Sequence, residues 1–104
     1  MSAAALRAVS EPRRRQILRL VWDRERPAGE IAASFDVTFG AVSQHLRVLH
    51  DAGLVSVRRD GRRRLYQARR EHLGPLGDVL EDLWRGRLEE LRALAEAEDR
   101  GADG

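Results

Sequence analysis

The sequence predicts a mainly α-helical chain with one two-stranded β-hairpin, an α+β fold. Val42, Leu46 and Leu49 recur at i, i+4 and i+7, which is the spacing of an apolar stripe on a helix. The stretch 54–67 then has the composition of two strands, and Asp60-Gly61 in its middle is a strong hairpin signal. Beyond it the chain returns to helical spacing.

Three helices are predicted in the first third of the chain. Residues 3–8 form a short one. Ser10 is the N-cap candidate for a second helix over 10–24, which has an acid and a proline in its first turn. Pro27 breaks that pattern and opens a third, short helix over 27–35.

The helix with the apolar stripe is predicted to follow Thr38, an N-cap candidate, and to end at Gly53, because a glycine often follows the last helical turn. Strands over 54–57 and 65–67 flank the hairpin signal. A short helix, a turn, a second helix and then a hairpin is the order of elements in a winged helix-turn-helix.

A chain of 104 residues is long enough for one domain. We expect this domain over 1–98, with a last helix over about 75–98 and a flexible tail over 99–104. The charge is divided, because residues 1–70 hold 15 Arg and 7 acidic residues, whereas residues 71–104 hold 4 Arg and 10 acidic residues. The two parts are therefore predicted to face different partners.

Composition argues against several classes of protein. The apolar runs are too short to span a membrane, and the N-terminus lacks the apolar core of a secretory signal. There is no cysteine, hence no disulfide and no thiolate metal site. These features favour the cytoplasm. An enzyme is not expected, because Ser43 and His45 diverge by about 200° on a helix and cannot act as nucleophile and base.

The predicted helix after Thr38 has a small, polar and cationic outer face, opposite its apolar stripe. Such a face fits a DNA major groove, where Gln bridges an adenine edge and Arg takes guanine or phosphate. Thr38 itself is expected to cap the helix and to touch a phosphate. The alternative is an ordinary solvated face. The candidate reading residues are Gly40, Ser43, Gln44 and Arg47.

Five arginines lie within the seven residues 58–64 of the predicted hairpin. Like charges this close are tolerated only in solvent or against an anion, and a wing lying along a phosphate backbone has that anion. The alternative is a charged edge strand that prevents aggregation. The predicted phosphate contacts are Arg58, Arg59, Arg62, Arg63 and Arg64.

The last predicted helix has a wider apolar stripe than the small body can cover. A second copy of the chain is expected to cover it around a two-fold axis, with packing inside one chain as the alternative. Both recognition helices would then face successive major grooves, about 34 Å apart. The predicted dimer contacts are Leu76, Leu80, Leu83, Trp84, Leu88 and Leu91.

Five short stretches between residues 5 and 70 form a specific combination. They are Ser10-Glu-Pro-Arg-Arg-Arg-Gln-Ile-Leu18, Glu30-Ile-Ala32, Ala41-Val-Ser-Gln-His-Leu-Arg-Val-Leu49, Ala52-Gly-Leu-Val55 and Gly61-Arg-Arg-Arg-Leu-Tyr66. The combination resembles the ArsR-type (arsenical-resistance repressor-like) transcription regulators. The pattern Trp84-Arg-Gly-Arg-Leu88 is similar to a cysteine-free subgroup of that family.

The resemblance implies a homodimeric winged helix-turn-helix repressor that dimerises through its terminal helices and binds a palindromic operator on double-stranded DNA. In the family, base contacts come from the leading turns of the recognition helix, which here are Phe39, Gly40, Ser43 and Gln44. Phe39 and Gly40 depart from the usual polar residues. Phe39 either packs under the helix or touches a thymine methyl group.

Many members of this family sense metals, and this chain is not expected to. The usual thiolate ligands of the third helix have no counterpart between Ala28 and Phe35, and beyond residue 71 there is one histidine, His72. No other cofactor is predicted. A winged-helix module that binds another protein, with no role at DNA, is the alternative function. In that case replacing Arg62, Arg63 and Arg64 with Ala would leave partner binding intact.

Overall fold

The structure, a computed structural model, describes residues 2–102, apart from the side chains of residues 87–91 and 99–102. The chain packs as two units, one up to Gly74 and the other from Pro75 onward. Within the described residues no helix has both the length and the apolar character needed to cross a bilayer. The helices are α1 (Ala3–Val9), α2 (Pro12–Leu20), α3 (Ala28–Ala33), α4 (Phe39–Asp51), α5 (Arg70–Leu73) and α6 (Pro75–Ala102).

Side-chain caps explain where two of these helices begin. Thr38 caps α4 as predicted, because its Oγ1 accepts a hydrogen bond from the amide of Ala41 at 3.1 Å. The prediction for α2 was wrong by one residue. Glu11, not Ser10, is its N-cap, and the carboxylate accepts from the amide of Arg14 at 3.0 Å. Ser10 instead ends the preceding helix.

Several helix ends differ from the expected ones. α2 ends at Leu20, four residues before the expected end, because the chain turns there toward a strand. The short α5 was not predicted. The last helix continues through Ala102, so residues 99–102 extend it rather than starting a tail, and residues 103–104 lie outside the described part.

The predicted two-stranded hairpin is present, and a short third strand that was not predicted joins it, so the sheet has three strands. Its order is β1-β3-β2, with antiparallel pairing throughout. Arg26 lies opposite Tyr66 on the added edge strand. Pro27 is tolerated beside it because proline lacks a backbone N–H, which an edge strand can leave unpaired. A strand of two residues has no periodicity to detect. The strands are β1 (Arg26–Pro27), β2 (Val55–Asp60) and β3 (Arg63–Ala68).

The strands β2 and β3 with the turn between them form the wing, residues 55–68. Their pairing runs from Val55 opposite Ala68 to Asp60 opposite Arg63. The turn therefore consists of residues 61 and 62, one position later than the hairpin signal suggested. Gly61 adopts φ of 64°, a left-handed conformation that costs a glycine nothing.

A single apolar core joins α2, α3, α4 and the sheet in the first unit. The predicted stripe of α4 is confirmed, because all three of its apolar residues are at most 1% exposed. Burying that side turns the opposite side of α4 outward. The main core residues are Ile17, Leu18, Val21, Ile31, Val42, Leu46, Leu49, Leu54, Val55 and Leu65.

Two arginines of α2 fix the end of α1. Arg14 donates from Nε to the carbonyl of Ala8 at 2.6 Å, and Arg15 donates to the carbonyl of Val9 at 2.8 Å. These bonds satisfy carbonyl groups at the C-terminal end of a helix. Arg14 also reaches α4, where its Nη1 lies 3.4 Å from Nδ1 of His45. The arginines are thus structural, and His45 packs against α2.

Candidate nucleic-acid interface

The outer face of α4 lies in solvent along its whole length. All six predicted contact residues there are exposed, and Phe39 has an exposed fraction of 58%. Local sequence explains the arrangement, because the apolar stripe fixes which side is buried and Thr38 fixes where the helix starts. We call Gly40, Ser43, Gln44 and Arg47 the reading face of α4.

The polar side chains of the reading face have no partner among the described residues of their own chain. Within residues 2–102, apart from the undescribed side chains, Ser43, Gln44 and Arg47 make no hydrogen bond or ion pair. Each keeps its full set of donors and acceptors for an outside molecule: a hydroxyl, a carboxamide and a guanidinium fork. This combination matches the donors and acceptors that base pairs display in a major groove.

Four of the five wing arginines lie on the paired strands and are divided between two faces of the hairpin, whereas Arg62 lies in the turn. Alternation along the strands places Arg59 and Arg64 on the face that lines a groove with α4, and Arg58 and Arg63 on the other. On the far face each arginine has an acid. Arg63 lies 3.1 Å from the carboxylate of Asp60, and Arg58 is paired with a residue outside the wing.

The arginines on the groove face pair with no acid among the described residues, although Asp51 lines the same groove. Arg59 lies directly opposite Arg64 in the register, and in the described part of the chain neither makes an ion pair or hydrogen bond. Like charges in opposed positions destabilise a sheet. A phosphate group placed between the two guanidinium groups would reverse the sign of that interaction, because charge-assisted hydrogen bonds would replace repulsion.

Arg58 is tied to the body of the protein by Glu25, in the loop before β1. Its Nη2 lies 2.5 Å from one carboxylate oxygen of Glu25 and its Nε lies 3.3 Å from the other. The hydrogen bond from Arg58 lowers the pKa of Glu25 below its ordinary value. A bidentate pair of this kind constrains direction as well as distance, and here it connects the wing to the loop before β1.

The reading face and the groove face of the wing together line one open groove of about 720 Å³. Gly40, Ser43 and Gln44 form one wall, and Arg59 and Arg64 belong to the other. Val57 and Tyr66 line it between the two arginines and the helix. Three unpaired arginines, counting Arg47, thus border hydrogen-bonding side chains in one concave surface. This arrangement suits a polyanion that carries bases.

The predicted dimer contacts on α6 differ among themselves. Leu76 and Leu80 are buried in the single chain, at 7% and 2% exposure, whereas Leu83 is 49% exposed and Trp84 is half-buried. The side chains of Leu88 and Leu91 lie outside the described residues. Among the side chains that the structure does describe, no three His, Asp or Glu groups lie close enough to hold a metal ion.

Known proteins that are similar to this chain in sequence and fold are described as transcriptional regulators. The pattern of the family described as "Bacterial regulatory protein, arsR family" matches residues 11–57. The chain is 35% identical over 94 residues to the HTH-type transcriptional regulator Rv2034 of Mycobacterium tuberculosis, covering 90% of this chain and 88% of that protein. The chain belongs to the arsR family of bacterial regulatory proteins.

Two further relatives add to this membership. The transcriptional repressor SdpR of Bacillus subtilis is 38% identical over 55 residues, which are 53% of this arsR-family chain and 61% of SdpR. The solution structure of the homodimeric winged helix-turn-helix DNA-binding domain of Mb0332 from Mycobacterium bovis has a TM-score of 0.70 and 31% identity. It covers 85% of this chain and 82% of that domain.

Family membership confirms the resemblance, the winged helix-turn-helix fold and the expectation of a regulator. This arsR-family chain is a DNA-binding transcriptional regulator and not an enzyme. Sequence reasoning missed Glu25, Val57 and Tyr66 as parts of the site. Glu25 and Arg58 are 33 residues apart and no local pattern connects them. Val57 and Tyr66 follow from strand alternation once the hairpin register is known.

Proposed function

We propose that this regulator binds a palindromic operator as a homodimer and represses transcription. Each subunit places the reading face of α4 in a major groove and the wing along the neighbouring phosphate backbone. Thr38, at the start of α4, touches a phosphate, and Phe39 lies with it on the leading turn. The wing contacts phosphate mainly through Arg59, Arg62 and Arg64, whereas the paired Arg58 and Arg63 contribute less.

One observation carries this proposal. The three polar side chains of the reading face and the opposed pair Arg59 and Arg64 have no partner within the described residues, and they line the same groove. A DNA-binding site needs hydrogen-bonding groups that contact bases and positive charge that contacts phosphates, and this groove has both. A protein-binding module with no role at DNA has no comparable need for uncompensated positive charge.

A second copy of the chain is proposed to cover α6. Its exposed apolar side chains Val79, Leu83 and Leu94 lie within about 60° of one another around the helix, at 100° per residue. An exposed apolar stripe of this length is typical of an interface. The Mb0332 domain, which shares the fold, is homodimeric. Leu83 and Trp84, with Leu88 and Leu91, are the predicted contacts that this proposal retains.

Repression is the proposed outcome of operator binding, and the relationship to the repressor SdpR supports it. A dimer on a promoter excludes RNA polymerase without needing any contact with it. We place the protein in the cytoplasm, where its DNA is. We propose no metal or other cofactor, because the chain has no cysteine and three histidines, two of them in α4. Elemental analysis of the purified protein tests this point.

The reading face and the wing are tested separately by two variants. An operator is selected from random duplexes with the parent protein, and binding is then measured over a range of salt concentrations. Gln44→Ala is expected to lower the ratio of operator to non-specific affinity by about 10- to 100-fold, the worth of one bidentate base contact. The dependence on salt should stay unchanged, since no phosphate contact is lost.

Arg64→Ala is the matched comparison and should behave in the opposite way. It is expected to weaken operator and non-specific binding alike and to reduce the slope of log affinity against log salt by about 0.9 per subunit. If Gln44→Ala kept the full preference for the operator, the assignment of the reading face would be wrong. If the parent protein selected no sequence at all, the DNA-binding proposal itself would fail.

A further inference from the structure

Phe39 is an aromatic side chain that the fold leaves in solvent at the leading turn of α4. Its exposed fraction of 58% excludes one of the two roles open from the sequence, packing under the helix. Helical spacing places Phe39 one turn before Ser43 on the same side. Both side chains line a second cleft, of about 500 Å³, that lies between α4 and the wing.

The surroundings of Phe39 indicate what kind of molecule covers it. Arg62, Arg63 and Arg64 line the same cleft, together with Glu30, whose carboxylate is already paired with Arg24 and Arg26. Among the residues that the structure describes, Arg62 and Arg64 pair with no acid. An apolar ring among guanidinium groups is a poor site for an apolar peptide, because closing it would bury unpaired charge. A polyanion that also carries an apolar group satisfies both features.

DNA offers one apolar group to a helix in its major groove, the 5-methyl group of thymine. We propose that Phe39 is a specificity-determining residue that recognises the 5-methyl group of one thymine in each operator half-site. This inference rests on the proposed DNA-binding function, and it identifies thymine as one base of each operator half-site. Gln44 and Arg47 read hydrogen-bonding edges, whereas Phe39 reads a group that makes no hydrogen bond.

The experiment removes the methyl group from DNA without changing base pairing. Each thymine of the selected operator is replaced in turn by deoxyuridine, in both half-sites, and affinity is measured for the parent and for Phe39→Ala. At one thymine per half-site, deoxyuridine should weaken parent binding about fourfold for each half-site, the worth of one buried methyl group, and therefore about 16-fold for the whole operator. Phe39→Ala should bind the thymine and deoxyuridine duplexes equally.

Two further variants separate methyl recognition from a general loss of binding. Phe39→Leu keeps an apolar side chain and should keep a measurable preference for thymine over deoxyuridine. Gln44→Ala lies on the same helix and should retain the full fourfold preference per half-site at that position. Because Phe39 is exposed, the midpoint of thermal unfolding should be the same for Phe39→Ala as for the parent, so folding does not confuse the comparison.

Each outcome decides the matter. A thymine whose methyl group matters to the parent and not to Phe39→Ala supports the inference. The inference is overturned if deoxyuridine has no effect on affinity at any thymine. It is also overturned if deoxyuridine lowers the affinity of the parent and of Phe39→Ala equally, because Phe39 would then have another role, such as contacting a sugar or inserting between base pairs. In those cases the selected operator still stands, so the proposed function survives. Failure to select any operator would overturn both.

Discussion

The fold leaves space for a side chain at Gly40. A Cβ atom built there would meet one atom, Oγ1 of Thr38, at 4.0 Å, and the backbone is an ordinary helix that any residue adopts. Nothing inside the described part of the protein therefore requires a glycine at this position. It lies on the reading face, where a bare backbone allows the closest approach to the floor of the groove.

Gly40→Ala is expected to have opposite effects on folding and on binding. It should raise the free energy of unfolding by about 0.5 kcal/mol, because alanine reduces the freedom of the unfolded chain and has space in the helix. Operator affinity should fall about tenfold, since the new methyl group separates the helix from the bases. Thermal denaturation and a DNA titration on the same preparation measure both quantities.

The matched control is Gly29→Ala, at the same second position of α3. A Cβ there meets nothing within 4 Å, so the gain in stability should be similar. The loss of operator affinity should be smaller, because Gly29 lines the cleft beside Phe39 and is not part of the reading face. An unchanged affinity for Gly40→Ala would mean that the backbone of α4 does not come close to DNA at this point.

At the scale of elements, the wing is attached to the body by the pair of Glu25 and Arg58 and by the short β1. The pair is exposed, so its contribution to stability is small, but its bidentate geometry constrains direction. The contribution of this pair to the stability of the fold depends on pH. Because the folded-state pKa of Glu25 is lowered, the pairing contributes stability above the ordinary carboxyl pKa and loses it as pH falls through the lowered value.

Glu25→Gln is expected to change operator affinity and non-specific affinity differently. It removes a negative charge and releases Arg58, so non-specific affinity should rise and its salt slope should steepen by up to about 0.9 per subunit. Operator affinity should not rise with it, because the wing loses its fixed angle. The ratio of operator to non-specific affinity should therefore fall, which titrations with operator and scrambled duplexes measure.

Asp60→Asn is the control for this change. It also removes an acid and releases an arginine, but Asp60 and Arg63 both belong to the wing, so the attachment to the body stays. Both affinities should then rise in parallel. A parallel rise in Glu25→Gln as well would show that the tether does not orient the wing.

The contrast between α4 and β1 shows which parts of the fold the sequence could predict. α4 was predicted with its cap, its buried stripe and its reading face, because all three follow from residues within four positions of one another. β1 is two residues long and its partners lie in β3, about 40 positions away. The tether from Glu25 depends on that pairing. Long-range pairing leaves no periodic trace in so short a segment.

At the scale of the whole molecule, one subunit offers a small reading surface. The reading face of α4 spans about two helical turns, which contacts only a few base pairs, and a half-site of that size recurs often in any genome. Two subunits on one duplex multiply their selectivity, and the second binds at a high effective concentration. The exposed stripe of α6 is the surface through which we propose that the subunits are joined.

Leu83→Asp is expected to convert the dimer into a monomer, because it places a charge in the middle of the exposed stripe, where a partner would have to bury it. Equilibrium ultracentrifugation should then report the mass of one chain. Operator affinity should fall at least about 100-fold, whereas binding to a single half-site should stay unchanged, because α4 and the wing are intact.

Arg85→Asp introduces the same carboxylate on the opposite side of α6, about 160° from Leu83 and at least about 120° from Val79 and Leu94, and should leave both mass and operator affinity as they are. Circular dichroism of both variants confirms that the helix persists, as expected for two exposed positions. If Leu83→Asp remained a dimer with full operator affinity, the stripe would not be the interface. The two-fold relation that places a pair of recognition helices about 34 Å apart would then have to arise from another surface.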